Sequence, residues 1–148
     1  MDLTFNSVTP HFNQECFDLH QQGQFSPWSK RIFDDCLTPP YFANCLLINE
    51  QLIGYYIGMS VLDEVTLMDI VIDKGFQGKG YGKKLLEHFI HTCEGKNAVQ
   101  LWLEVRESNE VAKHLYEQKG FVLIEQRNNY YPTANGKEDA LILGLYVG

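Results

Sequence analysis

The chain has 148 residues, of which 19 are acidic and 12 are basic, giving a formal net charge of −7. This length can bury a sizeable core in one domain, residues 1–148, and 45% hydrophobic with 21% charged residues is typical of a globular protein. The acidic balance argues against a general nucleic-acid-binding protein, and no apolar run approaches the ~20 residues that would span a bilayer.

The N-terminus and the cysteines predict the compartment. The first nine residues lack the basic segment and apolar core of a signal peptide, so we expect a cytoplasmic protein. The cysteines are widely spaced with no Cys-x-x-Cys pair, which argues against a zinc site and a disulfide framework. We therefore expect reduced, buried thiols at Cys16, Cys36, Cys45 and Cys93.

Hydrophobic periodicity predicts an α/β (mixed α+β) fold with the order β-α-α-β-β-β-α-β-α-β-β. The expected architecture is a mixed central sheet of about seven strands with helices on both faces. Asn49-Glu50-Gln51 predicts a hairpin turn, and the nearly continuous apolar run at 65–73 predicts a strand covered on both sides. The predicted strands are 3–8, 41–48, 52–61, 65–73, 98–105, 121–124 and 140–146, and the predicted helices begin near residues 10, 26, 80 and 108.

Helical spacing also predicts which side chains face the core. In the second helix, Ser26 or Ser29 would cap the start, and Ile32, Phe33 and Cys36 would face inward. The last helix would begin at Ser108 or Asn109 and bury Val111, Ala112, Leu115 and Tyr116, while three histidines on polar helix faces would be solvated: His88, His91 and His114.

A glycine-rich segment, residues 73–87, joins the apolar strand to the third helix. It holds four glycines and four of the chain's nine lysines, a local basic cluster in an acidic protein. A strand, a glycine turn and a helix start together aim backbone N–H groups and the helix dipole at an anion. The segment lacks both the P-loop and the Rossmann glycine patterns. It predicts a specific polyanionic ligand, and the alternative is a loop that only turns the chain.

The motif inside this segment is Gln77-Gly78-Lys79-Gly80-Tyr81-Gly82. It resembles the pyrophosphate loop of the GCN5-related N-acetyltransferases (GNAT), which bind acetyl-CoA as a co-substrate. The predicted order of elements is also that of the acetyltransferase fold. The resemblance implies an N-acetyltransferase that uses acetyl-CoA and no metal.

Three later motifs narrow the resemblance to one branch of that superfamily. They are residues 101–106 with Ser108 and Asn109, residues 115–121, and residues 127–133 with Gly136 and residues 138–140. From about residue 25 onward the chain resembles the RimI family of bacterial ribosomal-protein-alanine N-acetyltransferases. That family acetylates the N-terminal alanine of the eighteenth small-subunit ribosomal protein, and an acidic enzyme would suit a basic peptide of this kind.

The resemblance implies two catalytic residues. Glu104, on the strand face opposite Leu101 and Leu103, is the candidate base for the attacking amine. The alternative is a surface glutamate paired with Arg106. Tyr116 is the candidate acid for the leaving thiolate, and the alternative is a core aromatic residue at helical spacing.

The resemblance also implies where the two substrates bind. The pantetheine arm would add like a strand to the backbone of residues 70–72, and Asn109 would hydrogen-bond it. Asn109 could instead, or at the same time, be a helix cap. Trp28, Tyr130 and Tyr131, in predicted loops, would wall a slot for a small N-terminal residue, or else only pack those loops. The implied cofactor-binding residues are Ile70, Val71, Ile72, Gln77, Gly78, Lys79, Gly80, Tyr81, Gly82, Lys83 and Asn109.

Two other functions stay open on the sequence. One is acetyl transfer to a small amine or a protein lysine, which would need the same fold and loop. The other is a non-catalytic acetyl-CoA sensor, against which the presence of both Glu104 and Tyr116 argues. The expected partner is the N-terminal peptide of a ribosomal protein, with no nucleic acid and no membrane. The sequence sets no oligomeric state, and a monomer is compatible with it.

Overall fold

The computed structural model describes residues 2–148, and its elements follow the predicted order. A single 3₁₀ turn at Lys74–Phe76 precedes the third helix. The strands are β1 (Leu3–Ser7), β2 (Tyr41–Ile48), β3 (Gln51–Val61), β4 (Glu64–Ile72), β5 (Gln100–Arg106), β6 (Val122–Thr133) and β7 (Gly136–Tyr146). The helices are α1 (Pro10–Gly23), α2 (Lys30–Asp35), α3 (Tyr81–Gly95) and α4 (Glu110–Gln118).

The seven strands form one mixed sheet in the order β1-β2-β3-β4-β5-β7-β6. Every neighbouring pair is antiparallel except β4 and β5, which run parallel because α3 carries the chain back across the sheet. Helices α1 and α2 cover one face through Phe17 and Phe33. Helices α3 and α4 cover the other through Phe89 and Tyr116. The sheet therefore has a separate apolar core on each side, as predicted.

Local sequence signals explain most of the element ends. Asn49 and Glu50 both have positive φ, 49° and 71°, which gives the two-residue turn that suits the twist of a hairpin. Pro10 opens α1, where its missing N–H costs nothing. Of the two candidate caps for α2, Ser29 is the one used, since its Oγ accepts the N–H of Ile32 at 3.2 Å.

Strands β4 and β5 part in the middle of the sheet. Their pairing runs only from Glu64 opposite Gln100 to Leu67 opposite Leu103. At the same level the β3–β4 register shifts, so that Met68 is an extra residue between Leu67 and Asp69. A β-bulge of this kind bends its strand, and here it turns the end of β4 away from β5.

The C-terminal hairpin corrects one prediction. Residues 128–133, predicted as a loop, are the end of β6, and Tyr131 pairs with Glu138 of β7. The asparagines and Pro132 suggested a turn, but β6 is the edge strand of the sheet. A proline is tolerated there because its missing N–H would face solvent and not a neighbouring strand. The prediction that Tyr130 and Tyr131 lie in a loop was therefore wrong, while Trp28 does lie between α1 and α2.

Three predictions of helix faces were also wrong. Ile32 is 50% exposed and Val111 is 84% exposed, because α2 and α4 are short and touch the core through neighbours one position further along the helix. His88 is half-buried: its ring stacks on Phe5 with centroids 4.0 Å apart, and its Nδ1 lies 2.9 Å from the Tyr56 hydroxyl. The packing of β1 against α3 produces this environment.

The cysteines behave as expected, and all four are free and buried. Burial raises the pKa of Cys45 to about 11 and that of Cys93 to about 12, so both stay protonated thiols at neutral pH.

Within residues 2–148, no helix is both long and apolar enough to cross a membrane.

Candidate active site

The gap between β4 and β5 opens into a cleft of about 980 Å³. Its walls come from the splayed ends of both strands, the start of α4, the connection between α1 and α2, and the outer part of β6. Of the sixteen residues predicted from the sequence to be catalytic or to bind the two substrates, ten line this cleft: Trp28, Ile70, Val71, Ile72, Gln77, Glu104, Asn109, Tyr116, Tyr130 and Tyr131. The remaining six, Gly78 to Lys83, follow Gln77 and are not among the lining residues.

The end of β4 presents unpaired backbone to this cleft. The N–H of Asp73 donates to the Ile53 carbonyl of β3 at 2.7 Å. Because backbone groups alternate along a strand, Val71 also faces β3, while Ile70 and Ile72 face the gap left by β5. In agreement, the Gln77 side chain reaches the Ile72 carbonyl from outside β3, with Nε2 donating at 2.9 Å. Two of the three predicted backbone positions therefore face the gap: both backbone groups of Ile70 and the N–H of Ile72 are open to a strand-like ligand, while the Ile72 carbonyl already accepts from Gln77.

The glycine-rich loop leads into the open N-terminus of α3. Gly78 and Gly80 have φ of 76° and 87°, a left-handed conformation that favours glycine. A Cβ built at either position meets nothing within 4 Å, so backbone conformation and not crowding requires glycine here. Gly80 is the N-cap residue of α3 and supplies no side-chain hydrogen bond to the first turn. The loop thus fits a diphosphate, with exposed Lys79 and Lys83 beside it.

Asn109 and Tyr116 are set by α4. The Asn109 side chain caps the helix by accepting the Ala112 N–H at 3.1 Å, and its residue still borders the cleft. Tyr116 is 5% exposed and packs edge-on against Phe121. Burial, and then the charge of Asp69, raise the pKa of Tyr116, so its hydroxyl keeps its proton at neutral pH. Tyr116 is therefore both a core aromatic residue and a protonated group at the cleft.

Glu104 is held by two residues of β6. Its Oε1 accepts from Arg127 Nη1 at 3.2 Å, and its Oε2 accepts the hydroxyl of Tyr131 at 3.1 Å. The predicted alternative, a pair with Arg106, is wrong, because Arg106 binds Glu138 at 2.9 Å. The two side chains leave the same strand face but reach different parts of the β6–β7 hairpin.

The two tyrosines of β6 that line the cleft also lie together. The rings of Tyr130 and Tyr131 meet edge to face at 5.2 Å. The guanidinium of Arg106 lies 4.4 Å from the Tyr131 ring and 5.9 Å from the ring of Phe25 in the α1–α2 connection. Burial and the charge of Glu104 raise the pKa of Tyr131, which keeps it a hydrogen-bond donor.

A buried polar cluster beneath this wall was missed in the sequence. Asp69 of β4 accepts from the Tyr55 hydroxyl and from Gln24, and lies 2.7 Å from His20. Asp69 and His20 both border the cleft. The signals were a single carboxylate inside an apolar strand and a histidine that continues the inner face of α1 four residues after Cys16. Among residues 2–148, no group of three or more His, Cys, Asp or Glu side chains is placed to hold a metal ion.

Comparison with known proteins gives the same fold. The ribosomal protein bS18-alanine N-acetyltransferases of Salmonella typhimurium and Escherichia coli K12 are 42% and 40% identical to the chain over 131 residues, 88% of each protein. The crystal structure of the ribosomal-protein-S18-alanine N-acetyltransferase from Escherichia coli matches with a TM-score of 0.95 and 37% identity, over 99% of this chain and 95% of that one.

More distant structures share the architecture alone. Arabidopsis thaliana NAA60 in complex with acetyl-CoA matches with a TM-score of 0.89 at 14% identity, over 99% of both chains.

The predicted acetyltransferase fold is confirmed. The sequence profile of the acetyltransferase (GNAT) family matches residues 5–121, most of the chain. The protein therefore belongs to the acetyltransferase (GNAT) family.

Proposed function

We propose that the protein is an acetyl-CoA-dependent N-alpha-acetyltransferase that acetylates the N-terminal alanine of ribosomal protein bS18. The observation that carries the proposal is the cleft between β4 and β5, which borders a strand-like backbone site, a carboxylate and a buried phenol at once. Relatives about 40% identical over 88% of the chain bear this activity in their names.

Acetyl-CoA supplies the acetyl group as an activated thioester. The loop around Gly78 and Gly80, with the N-terminus of α3, binds its diphosphate. The backbone groups of Ile70 and the N–H of Ile72 bind its pantetheine arm as an added strand, and Asn109 binds the same arm at the mouth of the cleft. The arm thereby directs the thioester toward Glu104 and Tyr116.

Glu104 prepares the acceptor. An α-amine has a pKa of about 8, so most of it is protonated at neutral pH and cannot attack. The carboxylate of Glu104 takes that proton, directly or through one water molecule. Tyr131 orients the carboxylate through a hydrogen bond from its hydroxyl, and Arg127 holds the other carboxylate oxygen.

Tyr116 completes the exchange of bonds. As the amine nitrogen bonds to the acetyl carbon and the carbon–sulfur bond breaks, the departing thiolate needs a proton. The Tyr116 hydroxyl, whose pKa is raised by burial, still carries one at neutral pH and donates it to the sulfur. The acetylated nitrogen releases its remaining extra proton, and this proton restores the phenol. Trp28, Tyr130 and Tyr131 wall the slot that takes the first acceptor residue.

The test is thiol release with matched peptides. We expect turnover with a synthetic peptide copying the first residues of the host's bS18, and little turnover with the same peptide when its N-terminus is blocked and it carries a free lysine. Mass spectrometry of ribosomal proteins from cells with and without the gene should show loss of the acetyl group from bS18. Equal turnover of lysine peptides or of small amines, with unchanged bS18 in the deleted strain, would contradict the proposal.

A further inference from the structure

The buried histidine of α1 uses both ring nitrogens. His20 is 2% exposed. Its Nδ1 lies 2.7 Å from Oδ2 of Asp69, and its Nε2 accepts the backbone N–H of Trp28 at 2.9 Å. The same Asp69 accepts from the Tyr55 hydroxyl at 2.5 Å and from Gln24 Nε2 at 3.0 Å. Among the described residues, no buried side-chain nitrogen or oxygen lacks a hydrogen-bond partner, and those of this cluster are included.

These contacts determine one tautomer of the ring. A backbone N–H can only donate, so Nε2 of His20 must be the bare, accepting nitrogen. The carboxylate of Asp69 can only accept, so Nδ1 must carry the proton and donate it. From other parts of the chain, Asp69 of β4 and the rings of Phe33 and Trp28 contact the His20 ring, and Phe17 packs on it from α1 itself. Asp69 is the only acidic residue among them.

The anchored residue belongs to a wall of the cleft. The segment 24–28 joins α1 to α2 without helix or strand of its own, and Gln24, Phe25 and Trp28 line the cleft opposite Tyr130 and Tyr131. The Trp28 ring lies over His20 with centroids 4.7 Å apart. The backbone and the ring of Trp28 are therefore both held by one side chain.

We propose that His20 is a positioning residue for the acceptor: oriented by Asp69, it anchors Trp28 and so fixes the wall that receives the N-terminal residue of the peptide. The inference rests on the proposed function and deepens it, since it names what sets the shape of the acceptor slot. Neither His20 nor Asp69 touches the reacting atoms in this scheme. Their effect should appear in acceptor binding and not in acetyl-CoA binding.

A pair of variants separates the two hydrogen bonds of His20. Asparagine places its amide near the position of Nδ1, so His20→Asn can still bind Asp69 but is too short to reach Trp28. Glutamine is one methylene longer, so the oxygen of His20→Gln can accept the Trp28 N–H. We expect His20→Asn to raise the KM for the bS18 peptide roughly tenfold, the loss of one buried hydrogen bond, with the KM for acetyl-CoA within about twofold. His20→Gln should restore most of the acceptor KM.

The matched control is His88→Asn. His88 is half-buried and, like His20, hydrogen-bonded, but it binds Tyr56 on the other face of the sheet. The His88→Asn variant should have a lower stability and an unchanged KM for the acceptor peptide. If His88→Asn raised the acceptor KM as much as His20→Asn, the effect would be one of general stability and the proposal would fall.

Two spectroscopic measurements test the anchor without any turnover. The chain has two tryptophans, so a Trp102→Phe background leaves Trp28 as the single emitter. In that background, His20→Asn should shift the emission to the red and increase quenching by acrylamide, whereas His88→Asn should not. In ¹⁵N-labelled protein at neutral pH, the His20 ring should show a protonated Nδ1 and a bare Nε2.

The outcomes distinguish this inference from the proposed function. A wild-type protein that acetylates no N-terminal peptide would end the proposed function, while the ring tautomer and the Trp28 emission would still decide whether His20 anchors Trp28. A bare Nδ1 at neutral pH, or unchanged Trp28 emission in His20→Asn, would overturn the anchor. An unchanged acceptor KM in His20→Asn, in a protein that does acetylate the peptide, would overturn the positioning role.

Discussion

The hydroxyl of Tyr131 donates to Oε2 of Glu104 across 3.1 Å, which ties the acceptor wall to the candidate base. The two residues lie 27 positions apart, one on β5 and one on edge strand β6. The other carboxylate oxygen is held by Arg127. Glu104 is therefore oriented at both oxygens before any acceptor arrives.

Removing the Tyr131 hydroxyl should loosen the base while keeping its charge. We expect Tyr131→Phe to lower kcat/KM for the peptide roughly tenfold, because hydrogen bonds to charged groups contribute about 1.5–3 kcal/mol and part of the orientation remains with Arg127. The measurement is thiol release at varied peptide concentration. Tyr146→Phe, at the exposed end of β7, serves as the control and should behave as wild type.

Glu104→Gln should slow transfer by about 10² or more, because the amide cannot take the proton of the amine. Acetyl-CoA affinity, measured by calorimetry, should stay the same, since the loop and the end of β4 are untouched. Glu125→Gln is the matched control: Glu125 also pairs with Arg127, at 3.5 Å, but does not line the cleft. A rate for Glu104→Gln near that of the control would remove Glu104 from the base role.

Tyr116→Phe should lower kcat by roughly 10–10² and leave the KM for peptide nearly unchanged, because the phenol acts on the leaving thiolate. Burial and the charge of Asp69 raise the pKa of Tyr116 above its usual value of about 10, so the wild-type rate should show no loss from Tyr116 ionisation below about pH 10. The pH–rate profile checks this expectation.

Tyr56→Phe controls for the loss of a buried hydroxyl. Burial raises the pKa of Tyr56 to about 12, and its side chain lies among Asn44, His88 and Thr92, away from the cleft. The Tyr56→Phe variant should have a lower melting temperature and an unchanged kcat. Normal turnover by Tyr116→Phe would show that Tyr116 only packs the core.

Gly80→Val should abolish acetyl-CoA binding without unfolding the chain. The position has φ of 87° and open space around a built Cβ, so a branched side chain costs about 1–2 kcal/mol of backbone strain and extends toward the proposed diphosphate. Gly95→Val is the control: Gly95 lies at the other end of α3, and a Cβ built there also meets nothing within 4 Å. Calorimetric titration with CoA measures both, and equal affinities would contradict the loop assignment.

The stability of the fold should depend on His88 in weakly acidic solution. Burial, and then the charge of His91, lower the pKa of His88 in the folded state. Below the unfolded value of about 6.5 the unfolded chain therefore binds the proton more readily, and the free energy of unfolding falls as the pH falls. Above that value the contribution is fully present.

Urea denaturation at pH 7.5 and 5.5 measures this effect. His88→Gln should lose less stability between the two pH values than wild type, while His114→Gln, on an exposed face of α4, should follow wild type. Equal pH dependence of wild type and His88→Gln would show that another group accounts for the acid sensitivity.

Several features of the site could be predicted because their signals are local. The start and end of α1, the hairpin at Asn49, and the glycine turn before α3 each depend on residues a few positions apart. The strand that carries Glu104 alternates as predicted, with Leu101 and Leu103 buried and Glu104 outward. The roles of these residues in binding and catalysis stay predictions.

Other features could not be predicted, because their partners lie far along the chain. Residues 128–133 have the composition of a turn, yet pairing with β7 holds them in a strand. The composition of a segment describes its own preference, and a neighbouring strand can override that preference by supplying hydrogen bonds. In the same way, β1 and Tyr56 bury a histidine whose helix position looked polar.

The sequence by itself determined the order of the elements, the glycine turn and the alternation of polar and apolar residues along the strand that carries Glu104. These features could be predicted because helix, strand and turn preferences act between near neighbours. Only the tertiary structure decided which groups those residues meet. It joined Glu104 to Arg127 across 23 positions and His20 to Asp69 across 49. Such contacts depend on where β4 and β5 separate and on which helix covers each face, and no local pattern in the chain encodes them.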